Sequence, residues 1–405
     1  MSTLQSLVDA LGTRLQRSVA LDDPRLKLQV YSPHYGPVDK TRLDSILHRE
    51  APDEATSWVL GQGIAGLERP RHLTGDQSFE FMTRVCAPVR CQSLLLGYLW
   101  VIDEDASLDE AALALCEETA EAIGVVMYRE QLLTELEQGR QRELLRDLLA
   151  DDRELRVYAA DQLTSSDLFV ANVPVVAMVV RAGPATAGGP ALDESQRLSI
   201  SHALEIASRS FPVREALHLT RLDHGLLLVA ARGKGKRTDP MAIAESMQIQ
   251  VARALGPSFK VRVGIGGKSD SLAGAHHSYG EAQQAVRVAE IIPTFGTVTS
   301  FDTLGIYGLL SRLPQEQLNV DTLHPGLVAL LNVGGDLLQT LEVYLDNACD
   351  AQASANLLSV HRTSLYYRLS KIDQVTGLSL SNGADRLVLH LGLKLARLIG
   401  AHPGP

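Results

Sequence analysis

Residues 351–378, AQASANLLSVHRTSLYYRLSKIDQVTGL, constrain this chain more than any other stretch. Two helical patterns meet there across Ser359 and Val360, which leaves room only for a tight turn. Asp350 is placed to cap the first helix, 351–358, by accepting a backbone N–H, and Val360 is expected to fill the angle between the helices. The second helix is predicted over 362–375. On it Leu365, Leu369 and Ile372 share one side, at helical spacing, and that side faces a core. At about 100° per residue, Thr363, Tyr367 and Ser370 project almost opposite, with Tyr366 and Lys371 flanking them. No acid lies between His361 and Lys371.

A short helix, a turn and a second helix with a cationic, hydroxyl-rich outer side is how a protein inserts a helix into the major groove of DNA. His361 and Arg362 then sit at the end nearest the groove floor, with Arg362 able to grip guanine or phosphate bidentately. Arg368 and Lys371 are expected on backbone phosphates, and Thr363, Ser364, Tyr366 and Tyr367 on either bases or phosphates. A helical hairpin with a cationic solvent face has the same periodicity, so the pattern alone leaves both readings open. Before this unit, Gly334 and Gly335 precede a helix with Leu337, Leu338, Leu341, Tyr344 and Leu345 on one face. After it, residues 386–399 form a helix whose Leu387, Leu391, Leu395 and Leu398 are expected to close the core.

The run Val360-His361-Arg362, with Leu365, Tyr367-Arg368-Leu369, Ile372 and Thr376-Gly377-Leu378, resembles the C-terminal domain of the purine-catabolism-regulator (PucR/CdaR-like) transcription factors. Their signature reads VHRNTLxYRLxxI…TGL. Thr363 stands where asparagine is usual and Ser364 where threonine is usual, departures that bear on which base is read. The resemblance implies a sensor domain, a GGDEF-like middle domain and a terminal helix-turn-helix, acting together as a DNA-binding transcriptional regulator.

Upstream, residues 1–128 mix helix and strand. Leu4, Leu7, Val8, Leu11 and Leu15 recur at helical spacing, and residues 26–31 alternate like a strand. Residues 84–89 and 93–103 read as two strands before a helix that begins at Leu108. This order, after a glycine-rich turn at 58–66, resembles a GAF-like sensor. The turn has G-x-G-x-x-G spacing at Gly61, Gly63 and Gly66, but no βαβ unit with an acidic ribose ligand follows it, so backbone geometry is the preferred reading.

Residues 128–156 carry two leucine sets, Leu132, Leu133 and Leu136, then Leu144, Leu145, Leu148 and Leu149, with Gly139 between them as an expected break. So narrow a stripe is satisfied either by a second copy of the helix or by the helix's own domain; the first is favoured because helix-turn-helix readers usually work in pairs.

From about residue 165 the order is β-α-β-β-α-β, resembling the nucleotide-cyclase-like fold of GGDEF domains. The turn, expected at Asp223-His224, reads Leu222-Asp223-His224-Gly225 where an active enzyme carries GG[DE]EF. One aspartate beside a histidine is a poor magnesium site, so the domain is expected to be catalytically silent. VGIGG at 263–267 lacks the G-K-[ST] of a phosphate loop. His276 and His277 are adjacent on a helix and are expected to diverge rather than share a metal. The Gly/Pro/Ala-rich loop 182–191 and the basic loop 232–240 read as solvated connections.

A net charge of −10 argues against a general polyanion binder, yet a localised cationic face tolerates an acidic remainder. No apolar run reaches membrane-spanning length and the first twenty residues lack a signal-peptide plan, so a cytoplasmic protein is expected. Cys86, Cys91, Cys116 and Cys349 form no metal-site spacing and read as free thiols, with a redox pair of Cys86 and Cys91 on neighbouring strands as the minority reading.

The expected fold class is therefore multidomain α+β: a GAF-like domain (1–128), a helical connector with a dimerisation role (129–156), a degenerate GGDEF-like α/β domain (165–312) and an all-α helix-turn-helix domain (330–405). Expected partners are double-stranded DNA, a small-molecule or protein effector, and a second copy of the chain, with no membrane. No catalytic residue, metal or cofactor is expected. The rival readings are a nucleotide-using signalling protein built on the middle domain, and a scaffold whose C-terminal helices bind protein.

Overall fold

The structure, a computed structural model, describes residues 3–49, 52–185, 192–232, 239–314 and 319–402. Most of the loop 182–191 and of the basic loop 232–240 lies outside these residues. The chain divides into two compact units, Met1–Gly139 and Arg140–Pro405.

The first unit opens with α1 (Thr3–Leu15), β1 (Val19–Asp22), β2 (Leu28–Tyr31), α2 (Lys40–His48) and α3 (Asp53–Gly61). There follow β3 (Arg71–Leu73), β4 (Arg84–Cys91), β5 (Leu94–Ile102) and the start of α4 (Glu110–Leu148). The strands form one antiparallel sheet in the order β2-β1-β5-β4-β3. Alternation along β1 and β5 splits their side chains between two cores. Val19, Leu21, Leu99 and Val101 meet Val8 and Leu11 of α1 and Cys116, Ala120 and Ile123 of α4. Ala20, Tyr98 and Trp100 meet Val59 of α3, with Ile64 and Phe81.

Two expectations change here. The glycine-rich segment 58–66 is the end of α3 followed by a 3-10 turn, so no strand feeds it; Gly63, at φ +74°, supplies the left-handed residue that stops the helix. Cys86 and Cys91 both lie on β4, not on neighbouring strands. Cys86 packs in the core that holds Trp100 and Cys91 packs against the core that holds Val101, so they occupy opposite faces of the sheet. All four thiols are free, and burial pushes Cys86 well up and Cys116 to about 12, far from reactive thiolates.

Helix α4 runs unbroken through Gly139, which causes no interruption. Its two leucine sets have different fates. Leu144, Leu145, Leu148 and Leu149 are buried in the core of the second unit, so the own-domain reading holds for them. Leu132, Leu133 and Leu136 are 41%, 49% and 70% exposed.

The second unit continues with α5 (Arg153–Ser165), β6 (Val175–Pro184), α6 (Glu194–Arg209), β7 (Ala216–Thr220), β8 (Gly225–Ala230), α7 (Pro240–Leu255), β9 (Phe259–Ile265), α8 (Ala275–Ile291) and β10 (Val298–Ser300). The sheet order is β10-β9-β6-β8-β7, antiparallel except for β10 beside β9. Alternate residues of β6 point to two cores, one shared with α6 and α7 and the other with α5 and α8. The VGIGG glycines serve packing. A Cβ on Gly264 would stand 2.1 Å from the Ala282 carbonyl oxygen and one on Gly266 1.8 Å from that of Ser278, so only glycine admits α8 this close to β9.

The remainder is helical: α9 (Ile306–Leu310), α10 (Pro325–Val333), α11 (Gly335–Asp346), α12 (Ala351–Leu357), α13 (Arg362–Thr376) and α14 (Gly383–Leu398). Their core holds Leu327, Leu341, Leu345, Leu365, Ile372, Leu389 and Leu393. α14 closes it with a different stripe from the one expected. Leu389, Leu393 and Ala396 point inward, whereas Leu387 is 66% and Leu391 38% exposed. Leu395 packs against this core as expected and also reaches a second cluster, where Leu398 joins Leu304, Tyr307 and Leu310 and seats the helical domain on the α/β domain.

Candidate nucleic-acid interface

The helical pair forms because local chemistry stops and starts each helix at the right residue. Asp350 caps α12, its carboxylate accepting from the backbone N–H groups of Gln352 at 2.8 Å and Ala353 at 3.0 Å. Ser359 takes a left-handed conformation at φ +55°, which turns the chain out of α12. Val360 donates its N–H to Ala355 O at 3.0 Å, and its side chain packs against the helical core. His361 is the N-cap of α13, with Nδ1 accepting from the Thr363 N–H at 3.3 Å. Gly377, at φ +67°, ends α13 by donating to Asp373 O.

Within α13, Leu365 and Ile372 are fully buried and Leu369 nearly so, which fixes the rotation of the helix. His361, Arg362, Thr363, Ser364, Tyr366, Tyr367, Ser370 and Lys371 are exposed. Arg362 lies over the ring of Tyr366, 5.5 Å from its centroid, and donates to its hydroxyl at 3.1 Å. Neither Arg362 nor Lys371 has an acidic partner among the described residues, so both charges are available.

Arg368 differs from the expectation. It is only 23% exposed, its Nη2 lies 2.6 Å from Asp336 Oδ2 and its Nη1 donates to Thr340 Oγ1 at 3.2 Å. Its charge is already partnered, and it ties α13 to α11. Asp336 and Thr340 escaped sequence reasoning because they sit about thirty residues away, with no local period linking them to Arg368. Also missed were Gln352 and Asn356, exposed on α12 and joined by an amide hydrogen bond at 3.2 Å. Their i, i+4 spacing was the available signal.

The middle-domain turn is shifted by one residue from its expected place. Arg221 N–H donates to His224 O at 2.8 Å, so Leu222 and Asp223 form the tip. His224 points inward, 3% exposed, between Asp223 Oδ1 at 2.7 Å and the Tyr279 hydroxyl at 2.8 Å. Asp223 also meets Arg181 at 3.3 Å. Burial raises its pKa, but the His224 hydrogen bond and the nearby cations outweigh that and hold it below the usual range. Its oxygens thus have protein partners, His224 and Arg181, while the side chain stays 64% exposed. His276 and His277 do not diverge as expected; their ring centroids lie 3.8 Å apart. Among the described residues no three His, Cys, Asp or Glu side chains are grouped to hold a metal ion. Nor, among them, is any helix long and apolar enough to cross a membrane.

Comparison with known proteins agrees with this geometry. Residues 337–395 match the PucR C-terminal helix-turn-helix domain, and residues 170–288 match the GGDEF-like domain. Over 98% of its length the chain is similar to the proline-responsive transcriptional activator PutR of Bacillus subtilis, at 23% identity and 97% of that protein. It is similar to the DNA-binding transcriptional activator AdeR of the same organism over 98% of its length, at 20% identity and 93% of that protein. Over 43% of its length it is 26% identical to the B. subtilis purine catabolism regulatory protein, covering 33% of that protein.

Proposed function

From the premise that this chain is a PucR-type transcriptional regulator, with its helix-turn-helix at 337–395 and its GGDEF-like domain at 170–288, we propose how its parts act. The exposed, acid-free side of α13 enters the major groove of double-stranded operator DNA. Arg362 and Thr363 approach base edges, Lys371 meets phosphate, and Ser364, Tyr366 and Tyr367 meet either. His361 shapes the helix end through its capping bond. Arg368 sets the helix angle through Asp336.

The observation that carries this reading is the combination of a buried Leu365, Leu369 and Ile372 stripe with an exposed Arg362 at the start of the helix and an exposed Lys371 on its flank, neither with an acidic partner among the described residues. A titration of labelled duplex DNA at rising salt tests it, because each phosphate contact releases counterions and steepens the loss of affinity. Absence of binding at low salt would reject it.

The first unit acts as a GAF-like sensor, and the name of one full-length relative, which responds to proline, supports a small-molecule signal. Both full-length relatives are named activators, and activation is the outcome we assign. The GGDEF-like domain is a structural and relaying element without cyclase activity, supported by the engaged Asp223 and the inward His224. The exposed Leu132, Leu133 and Leu136 of α4 join a second copy of the chain in the cytoplasm, pairing two readers for two half-sites.

A further inference from the structure

At one end of the second sheet, under α8, the chain gathers more positive charge than it balances. Arg181 on β6 stands directly across the antiparallel register from Arg262 on β9. Their neighbours Val180, Ala182, Val261 and Val263 face the core shared with α6 and α7, so both arginines project to the α8 side. Side chains paired in this way start about 5 Å apart, and like charges there are destabilising. Two more guanidiniums join them. On α8, Tyr279, Gln283, Arg287 and Glu290 recur at spacings of four, four and three and share one face. Arg221, on the hairpin before His224, lies over the Tyr279 ring, 5.6 Å from its centroid.

Two carboxylates reach this cluster, and the same arginine holds both. Arg181 Nη2 lies 3.3 Å from Asp223 Oδ2, and its Nη1 lies 3.4 Å from Glu290 Oε2. Among the described residues, Arg221, Arg262 and Arg287 have no acidic partner. Four guanidiniums thus meet two carboxylates, a local excess of two positive charges in a chain whose net charge is −10. The crowding reaches Arg287: burial lowers its guanidinium from the ordinary value, the charge of Arg181 adds to the fall and Glu290 opposes it. All four cations are arginine, whose planar fork fits two oxygens of a phosphoryl group at once, as a lysine ammonium does not. Arg181, 26% exposed, is recessed beside the hairpin, which suits a small ion better than a duplex backbone.

We propose that this arginine cluster binds the phosphoryl group of a small ligand, without a metal ion. Arg221 and Arg287 grip its oxygens, Arg181 stays braced by Asp223 and Glu290, and Arg262 adds charge from the neighbouring strand. A phosphate dianion closes the charge excess. No bond of the ligand is broken, so the role is recognition, in keeping with a relaying domain that lacks cyclase activity. Bound phosphate links the hairpin of β7 and β8 to α8, and its binding does not depend on DNA.

The test is calorimetric titration and thermal shift of the full chain with inorganic phosphate, pyrophosphate and glycerol 3-phosphate, each to about 10 mM, a weak-binding limit. Sodium chloride at matched ionic strength is the reference. At least one phosphoryl compound should bind saturably and raise Tm above the reference, equally in EDTA. Tightest binding of inorganic phosphate identifies the free ion as the ligand; tightest binding of pyrophosphate or the ester identifies a phosphorylated molecule. Arg287→Gln and Arg221→Gln should each weaken binding at least about tenfold. Their ligand-free Tm should be kept or raised, because like charge is removed. Should Arg287→Gln fail to fold, Arg221→Gln at the exposed hairpin decides. No saturable binding, a shift no larger than that of sodium chloride, loss of binding in EDTA, or full affinity in either folded variant would overturn the proposal. So would a reduced salt slope of duplex binding in Arg287→Gln, which would assign the cluster to DNA.

Discussion

Arg368 Nη2 and Asp336 Oδ2, on α13 and α11, lie 2.6 Å apart and join the reading helix to the helix behind it. Asp336 is 72% exposed, so the pair contributes little to stability, within about 1 kcal/mol. Its value is orientation. Asp336→Asn is therefore expected to lower operator affinity in a fluorescence-anisotropy titration. If Arg368 instead served DNA phosphate directly, releasing it from Asp336 would raise affinity, and that outcome would refute the positioning role.

Arg362 and Lys371 should separate by type of loss. Arg362→Ala is expected to cost about 1–3 kcal/mol at the cognate site and to relax base preference. Lys371→Ala should weaken all duplexes alike and reduce the slope of log affinity against log salt by about 1. A salt slope unchanged in Lys371→Ala would remove that residue from the phosphate set.

Leu136→Glu addresses the pairing of copies. Because Leu136 is 70% exposed, the substitution should leave Tm nearly unchanged. Sedimentation velocity should nevertheless show a shift from dimer to monomer. A wild-type chain that sediments as a monomer at micromolar concentration would dispose of the pairing through α4.

The pH dependence of folding should carry the mark of Asp22. Its carboxyl is held at about 7 in the folded protein against 3.8 ordinarily, so between those values the folded state keeps a proton that the unfolded state has lost. Stability from this group therefore falls as pH rises from about 4 to about 7, by at most about 1.4 kcal/mol per pH unit. The charged neighbours Arg42, Arg84 and Asp23 are common to both proteins. Urea unfolding of Asp22→Asn across this range should give a flatter profile; an unchanged slope would mean that the carboxyl is not held protonated.

On α14 the observed stripe can be checked directly. Leu389→Ala removes a fully buried side chain and should cost about 2–5 kcal/mol, whereas Leu387→Ala should stay within about 0.5 kcal/mol. Equal costs in chemical denaturation would contradict the assigned rotation of the helix.

The helix pair was readable because its determinants are local: the Asp350 cap, the apolar spacing of Leu365, Leu369 and Ile372, and the turn at Ser359 and Val360 all act within a few residues. The β-α-β-β-α-β order of the middle domain was readable for the same reason. What escaped depended on distant partners. Leucine is so frequent along α14 that two stripes satisfy a helical period, and only the packing of Leu389 and Leu393 against Leu327 selects between them. Arg368 read as a free cation until Asp336 came beside it. Asp22, at an inward position of a strand, and Arg42, on a buried helix face, broke the apolar pattern, but their juxtaposition with Trp100 needed the folded sheet.

The seating of Leu398 against Leu304, Tyr307 and Leu310 has a geometric consequence. The groove-entering element is not slung on a loose tether; wherever it lands on a duplex, a whole α/β layer arrives with it. If two copies pair as proposed, both layers must find room, and the stretch of DNA between their landing points is then limited by the girth of those bodies rather than by the reach of a linker.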